Sequence, residues 1–153
     1  MSTQVLFRRA VAADIPSLVE LLGLLFSIEA DFIQNTARQR RGLELLLDEE
    51  RAVVMVAEAG GQVVGCCTGQ VLVSTAEGGL SAVLEDVVVQ PGWQRQGIGR
   101  RLVNRVGQWA ARQGARRVQL LADRNNVPGL TFYRQLGWQM TDLICLRTFV
   151  RED

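Results

Sequence analysis

Three stretches carry residues whose types and spacing could do chemistry. The first is QPGWQRQGIGRRLV, residues 90 to 103. A valine-rich run ends at a proline, two glycines follow two apart, and the next residues read as a helix. Unpaired backbone N–H groups converge at such a turn, the helix dipole favours negative charge there, and glycine lets a ligand come close to the backbone. Arg95, Arg100 and Arg101 add positive charge, so phosphate is the natural occupant. A dinucleotide fingerprint counted from Gly97 would need its last glycine where Leu102 stands. The nucleotide P-loop needs a lysine, and the chain has none. The remaining alternative is a bare strand-to-helix turn that binds nothing.

The second stretch is Leu84-Glu85-Asp86-Val87-Val88-Val89, where two carboxylates interrupt an apolar strand. A carboxylate there is costly unless it is paired or wet, and a substrate cleft supplies water. Pairing with arginines is the structural alternative. Strand alternation predicts that Glu85 and Asp86 point to opposite faces and do not share a pocket. The third stretch runs from Asn126 through Tyr133 to Gly137-Trp138 and contains the chain's only tyrosine. Asn126 ahead of Pro128 suits a helix cap.

Composition narrows the chemistry further. The chain has neither lysine nor histidine. Acid–base work near neutral pH therefore falls to a carboxylate, a tyrosine, a cysteine or the substrate itself, and Schiff-base chemistry and serine–histidine triads are excluded. A formal net charge of +1 calls for neither nucleic acid nor an anionic membrane surface. The longest aliphatic run, Leu21 to Phe26, is too short to span a bilayer, and the N-terminus lacks the order of a signal peptide. Three cysteines, two of them adjacent (Cys66, Cys67) and one at Cys145, argue against a disulfide framework and for a reduced, cytoplasmic setting. No zinc-ligand spacing is present, so no metal is expected.

The elements that must position these residues follow from periodicity. Val5 to Arg9 reads as a strand. Residues 14 to 27 read as an amphipathic helix with Asp14 as its cap, Pro16 in its first turn, and Ile15, Leu18, Leu22 and Leu25 on one face. A second helix covers about 36 to 48, with Leu43, Leu46 and Leu47 inward. Two strands, 52 to 57 and 63 to 73, meet across Gly60-Gly61 as an antiparallel hairpin. Strand 82 to 90, helix 98 to 113 closed by Gly114, strand 117 to 122, helix 128 to 135 ended by Gly137, and strand 143 to 150 complete the order. Strand–helix–strand units in the second half imply a locally parallel pair, and the first half is antiparallel. The expectation is one α/β (α+β) domain over residues 1–153, with a mixed sheet and helices on both faces.

With that order in place, Gln94-Arg95-Gln96-Gly97-Ile98-Gly99 resembles the pyrophosphate-binding motif of the GNAT superfamily of acetyl-CoA-dependent N-acetyltransferases, R/Q-x-x-G-x-G/A. The stretch from Asn126 to Trp138 is similar to the family's N-x-x-A-x-x-x-Y-x-x-x-G-F signature, with Gly129 for the common alanine and Trp138 for the common phenylalanine. The element order resembles the family's over nearly the whole chain. The resemblance implies a mostly antiparallel sheet with a splayed parallel strand pair and acetyl-CoA as cosubstrate. Its pyrophosphate would lie on Gln94, Arg95, Gln96, Gly97, Ile98, Gly99 and Arg100, its pantetheine arm along Val87, Val88 and Val89, and Asn126 would bond that arm. It implies Tyr133 as the acid that protonates the leaving thiolate. Leu84-Glu85-Asp86 resembles the spermidine/spermine-acetylating branch, which implies Glu85 as base. Relayed water or a neutral substrate is the alternative to a side-chain base.

The acceptor side would be walled by the first two helices and their connection, which contains Glu29, Asp31, Phe32 and Gln34, with Asp86 as a further candidate. Two acids beside an aromatic suit a cationic amine, and a solvated helix end is the plain reading of the same residues. The function expected is acetyl transfer to a primary amine of a small molecule, by direct attack in a ternary complex. A protein or peptide N-acetyltransferase and a non-catalytic acetyl-CoA sensor are the competing readings. The resemblance also implies a homodimer.

Overall fold

The computed structural model describes residues 3–28 and 33–151. The chain forms two compact units, one up to Leu120 and one from Leu121 on. The first holds a five-stranded sheet in the order β1-β2-β3-β4-β5, with β1 Val5–Arg9, β2 Ala52–Ala59, β3 Gln62–Ser74, β4 Gly79–Val89 and β5 Ala115–Gln119. The first four strands pair antiparallel, and β4 pairs with β5 in parallel. Helices α1 (Ile15–Ile28), α2 (Thr36–Asp48) and α3 (Ile98–Arg112) complete this unit. The mixed sheet flanked by helices is the architecture that the residue pattern predicts.

The β2–β3 hairpin closes over Gly60 and Gly61, whose φ values are 57° and 78°. Two consecutive left-handed residues match the twist of the flanking strands, and glycine adopts that conformation without penalty. The two sheet faces then receive different helices. Val54, Val56, Cys66 and Val88 form one core with Ile15, Leu18, Leu21 and Leu22 of α1 and Leu43 of α2. On the opposite face, Gly65 lies under Leu102, and Gly69 lies under Val106 and Trp109, all of α3. The buried residues of α3 are Ile98, Leu102, Val103, Val106, Trp109 and Ala110, a helical stripe. Each buried large side chain stabilises by about 1.5–3 kcal/mol. Gln39, on the buried side of α2, keeps both amide atoms without a partner among the described residues.

Three expectations are corrected. Asp14 does not cap α1. Its carboxylate instead reaches backward, accepting from the Val11 N–H at 2.8 Å and from both Arg8 guanidinium nitrogens at 2.7 and 3.0 Å. A planar guanidinium offers a bidentate partner that a helix N-terminus cannot match. The fifth strand is Ala115–Gln119 and not 117 to 122, because Gly114 (φ 94°) ends α3 and β5 begins at once. Residues 143 to 150 form no strand. The sequence predicts one there, but a strand exists only within a ladder, and an apolar run names no partner. The adjacent Cys66 and Cys67 are buried free thiols, as their place in an apolar strand predicts.

Gly69→Ala should lower stability by about 1–3 kcal/mol, since the new Cβ overpacks the core. It would stand 2.6 Å from Val106 Cγ1, and thermal unfolding reads the loss. A second expectation concerns acid. The Arg8 hydrogen bonds hold the Asp14 carboxyl below its ordinary value. A depressed carboxylate contributes stability that is complete above its unfolded pKa of about 3.9 and is lost as pH falls through the folded value. Asp14→Asn should therefore destabilise at pH 7, and the difference from wild type should shrink on acidification below about pH 4 in denaturant titrations.

Candidate coenzyme site and its bulged strand

The register of β4 changes in its middle. Cys66 pairs with Val88 and Thr68 pairs with Glu85, so two steps along β3 answer three along β4. The extra residue is a β-bulge at Asp86-Val87. Asp86 has φ 53°, one of two non-glycine residues with positive φ among the described residues. Left-handed backbone costs an ordinary side chain about 1–2 kcal/mol, and Asp is among the residues that tolerate it. Contacts from β3 help to hold it. The Cys66 thiol donates to the Asp86 carbonyl at 3.4 Å, and the Thr68 hydroxyl donates to Asp86 Oδ2 at 3.4 Å.

The bulge overturns the prediction that Glu85 and Asp86 face apart. Glu85 stands opposite Thr68 on the sheet face of α1, and the Asp86 carboxylate reaches the same Thr68 hydroxyl. Strict alternation holds only for an unbroken ladder, and this one has an insertion. Glu85 is exposed and Asp86 is half-buried.

The parallel pair also opens here. β4 and β5 pair from Leu80↔Ala115 to Val83↔Gln119 and no further. Beyond Val83 the outer edge of β4 therefore has no strand partner among the described residues. Gln90 N–H donates inward to the Val64 carbonyl at 2.8 Å, and ladder alternation turns the peptide groups of Val87 and Val89 outward. Val88 differs, since its side chain is in the α1-side core and it pairs with Cys66. An extended arm with amide groups is the ligand that such an edge accepts.

The turn follows directly. A short 3-10 turn at Pro91–Trp93 leads to Gln94, whose Nε2 donates back to the Val89 carbonyl at 3.0 Å. Arg95 (φ 62°) and Gly97 (φ 80°) are both left-handed, and such alternations curl N–H groups into anion-binding concavities. Gly97 is the N-cap of α3 and supplies no side-chain cap, and the first turn holds no acid. Arg100 and Arg101 stand there instead, the reverse of what the helix dipole favours in isolation. Among the described residues the N–H groups of Arg95 to Arg100 find no acceptor, and the first helical bond is Arg101 N to the Gly97 carbonyl at 3.1 Å. A Cβ on Gly97 would meet nothing within 4 Å, so the space above it is open. Arg101 is committed elsewhere, its guanidinium 4.2 Å from the centre of the Phe7 ring. Orphan donors, cationic side chains and open space fit a pyrophosphate.

The second unit carries α4, Val127–Gln135. Asn126 caps it, Oδ1 accepting from the Gly129 N–H at 3.1 Å. A Cβ at residue 129 would come within 2.6 Å of Asn126 Nδ2, the end of a side chain. At the other end, Trp138 N–H donates to the Tyr133 carbonyl and Gly137 N–H to the Arg134 carbonyl, each at 3.0 Å. This is a Schellman motif, with Gly137 at φ 91°. Its customary apolar contact is the Tyr133 ring against Trp138, with centroids 5.6 Å apart. Tyr133 also meets Phe132 edge-on at 5.0 Å. The spacing Tyr133, Gly137, Trp138 is thus a helix stop that fixes the tyrosine ring.

Of the acceptor candidates, Glu29, Asp31 and Phe32 lie outside the described residues. Gln34 is described, and its side-chain amide lies against Gly23 of α1, where a Cβ would come within 2.6 Å. Sequence reasoning missed Thr68, the Cys66 contact and the Gln94 brace. A threonine at a buried position of an apolar strand was the available signal. Among the described residues no three His, Cys, Asp or Glu side chains gather as a metal site, and no helix is long and apolar enough to cross a membrane.

A split sheet beside a turn of orphan N–H donors is an arrangement that fits an extended phosphorylated arm. The sequence profile of the Acetyltransferase (GNAT) family matches residues 17–138, and the chain belongs to that family. Its members use acetyl-CoA. No curated protein matches it by sequence. Among solved structures, a transcriptional regulator from Bacillus halodurans C-125 is 23% identical, with TM-score 0.85 over 95% of this chain and 100% of that one. An aminoglycoside acetyltransferase, meta-AAC0020, from an uncultured soil metagenomic sample is 25% identical, with TM-score 0.76 over 97% of each chain. Aminoglycoside N-acetyltransferase AAC(6')-Iy, in complex with CoA, is 15% identical, with TM-score 0.84 over 97% of each chain.

Gly97→Val should weaken acetyl-CoA binding more than ten-fold in calorimetry. The substitution forces a branched residue to φ 80° and fills the open space. Its stability cost should stay near the ~1–2 kcal/mol of a left-handed residue, so the protein still folds.

Proposed function

We propose that the chain transfers the acetyl group of acetyl-CoA to a primary amine of a small molecule, by direct attack in a ternary complex, and that both units act as one acetyltransferase domain. The observation that carries this is the continuous run from Glu85 to Arg100. One strand and one turn supply a carboxylate, an outward-facing peptide edge and six N–H groups that find no acceptor among the described residues. The family match runs across both units. Two of the solved structures are aminoglycoside acetyltransferases, which supports a small amine over a peptide.

Bound acetyl-CoA supplies the activated acetyl group. The N–H groups of Arg95 to Arg100 and the Arg95 and Arg100 side chains hold its phosphates, while Val87 and Val89 pair with its arm. Glu85 takes a proton from the acceptor ammonium, leaving a neutral amine to attack. As the C–N bond forms and the C–S bond breaks, the Tyr133 phenol donates its proton to the departing thiolate, and the proton that the nitrogen sheds on becoming an amide passes through solvent to restore the phenol. Asp86 and the segment bearing Glu29, Asp31 and Phe32 are the acceptor-side candidates. An acyl-enzyme on Cys66 or Cys67 is disfavoured, because burial pushes both thiols well above their ordinary range and the thiolate is the nucleophile. The free thiols also support a reducing, cytoplasmic setting. A homodimer rests on the resemblance alone.

The test is initial-rate kinetics against a panel of polyamines, amino acids, aminoglycosides and peptides. Saturable acetylation of a small amine with intersecting double-reciprocal lines is expected; turnover confined to peptides, or parallel lines, would overturn the reading. Tyr133→Phe should lower kcat about 10- to 1,000-fold while leaving acetyl-CoA affinity and melting temperature nearly unchanged, since the ring that packs on Trp138 is kept. Unchanged kcat would remove Tyr133 as the acid.

A further inference from the structure

We propose that Thr68 is a positioning residue for coenzyme binding: its hydroxyl, together with the Cys66 thiol, holds Asp86 in the left-handed conformation that sets the bulge and turns Val87 and Val89 outward. The inference rests on the function proposed above.

Thr68 is 2% exposed, in a strand whose other buried residues include Val63, Val64 and Val71. Valine has the same shape and no hydroxyl to satisfy, so a buried threonine calls for a reason. Its partner is the Asp86 carboxylate, at 3.4 Å. Two residues earlier on the same strand, the Cys66 thiol meets the Asp86 carbonyl, also at 3.4 Å. Burial keeps that thiol protonated and therefore a donor. β3 thus grips both the backbone and the side chain of the bulged residue.

The grip matters because the alternative is a clean register. Removing one extra residue from the count would shift every later residue of β4 by one place. That slip exchanges the two faces and the two edges of the strand. Val88 would leave the α1-side core, and the outward peptide groups would no longer be those of Val87 and Val89. Opposite the bulge, Glu85 is the cross-strand partner of Thr68. Thr68 therefore touches the coenzyme edge through Asp86 and is not itself a catalytic residue.

The experiment is calorimetric titration with acetyl-CoA of wild type, Thr68→Val and Thr68→Ser, paired with separate KM measurements for acetyl-CoA and acceptor. Thr68→Val should raise the Kd and KM for acetyl-CoA about three- to ten-fold, the scale of one lost hydrogen bond, and should raise the acceptor KM by less. Thr68→Ser, which restores the donor, should recover most of the affinity. A folded Thr68→Val protein with wild-type Kd, whatever its melting temperature, overturns the proposal. Should that variant not fold, Asp86→Ala removes the held carboxylate and carries the same expected rise, and unchanged affinity there overturns it equally. Failure of wild type to bind acetyl-CoA would instead overturn the proposed function.

Discussion

The structure turns on one inserted residue. A ladder of ordinary alternation would run β4 from Gly79 to Val89 with each residue committed to one face and one edge. The insertion at Asp86-Val87 breaks that commitment. Upstream, β4 is locked between β3 and β5; downstream, it keeps β3 and leaves β5. Bulges occur where a strand must re-aim a side chain or stop pairing, and this one does both. It brings Glu85 and Asp86 to a common threonine and exposes a peptide edge.

The turn into α3 inherits its position from that edge. Val89 ends the strand, and Gln94 bonds back to its carbonyl, so the turn is pinned to the strand that would carry the coenzyme arm. The turn is electrostatically unfinished by itself. Unpaired N–H groups, two arginines in the first helical turn and no acid all raise the local positive potential. Stability of α3 comes instead from its buried stripe, above all Leu102, Val106 and Trp109 against the glycines of β3. The helix is held by packing at its middle, which leaves its N-terminus available to a ligand.

The family signature around Tyr133 has a local physical content independent of catalysis. Asn126 starts the helix by capping, Gly137 ends it in a Schellman motif, and Trp138 packs on the tyrosine ring. Residues that recur in a motif can therefore serve the fold directly, as Asn126 does by capping α4.

Local chemistry was legible in the residues themselves. The helix stops at Gly114 and Gly137, the Gly60-Gly61 hairpin, the Asn126 cap, the strand-to-helix turn at 94–100 and the apolar stripe of α1 follow from backbone conformation and periodicity, which are properties of neighbours in sequence. What depended on distant partners was not legible. Asp14 chose Arg8 and Val11 over the helix it precedes, residues 143 to 150 are mostly apolar yet form no strand, and Glu85 and Asp86 meet at Thr68 despite adjacent positions. Register, bulge and partner are set by the pairing of strands far apart in the chain, so only the tertiary structure decides them.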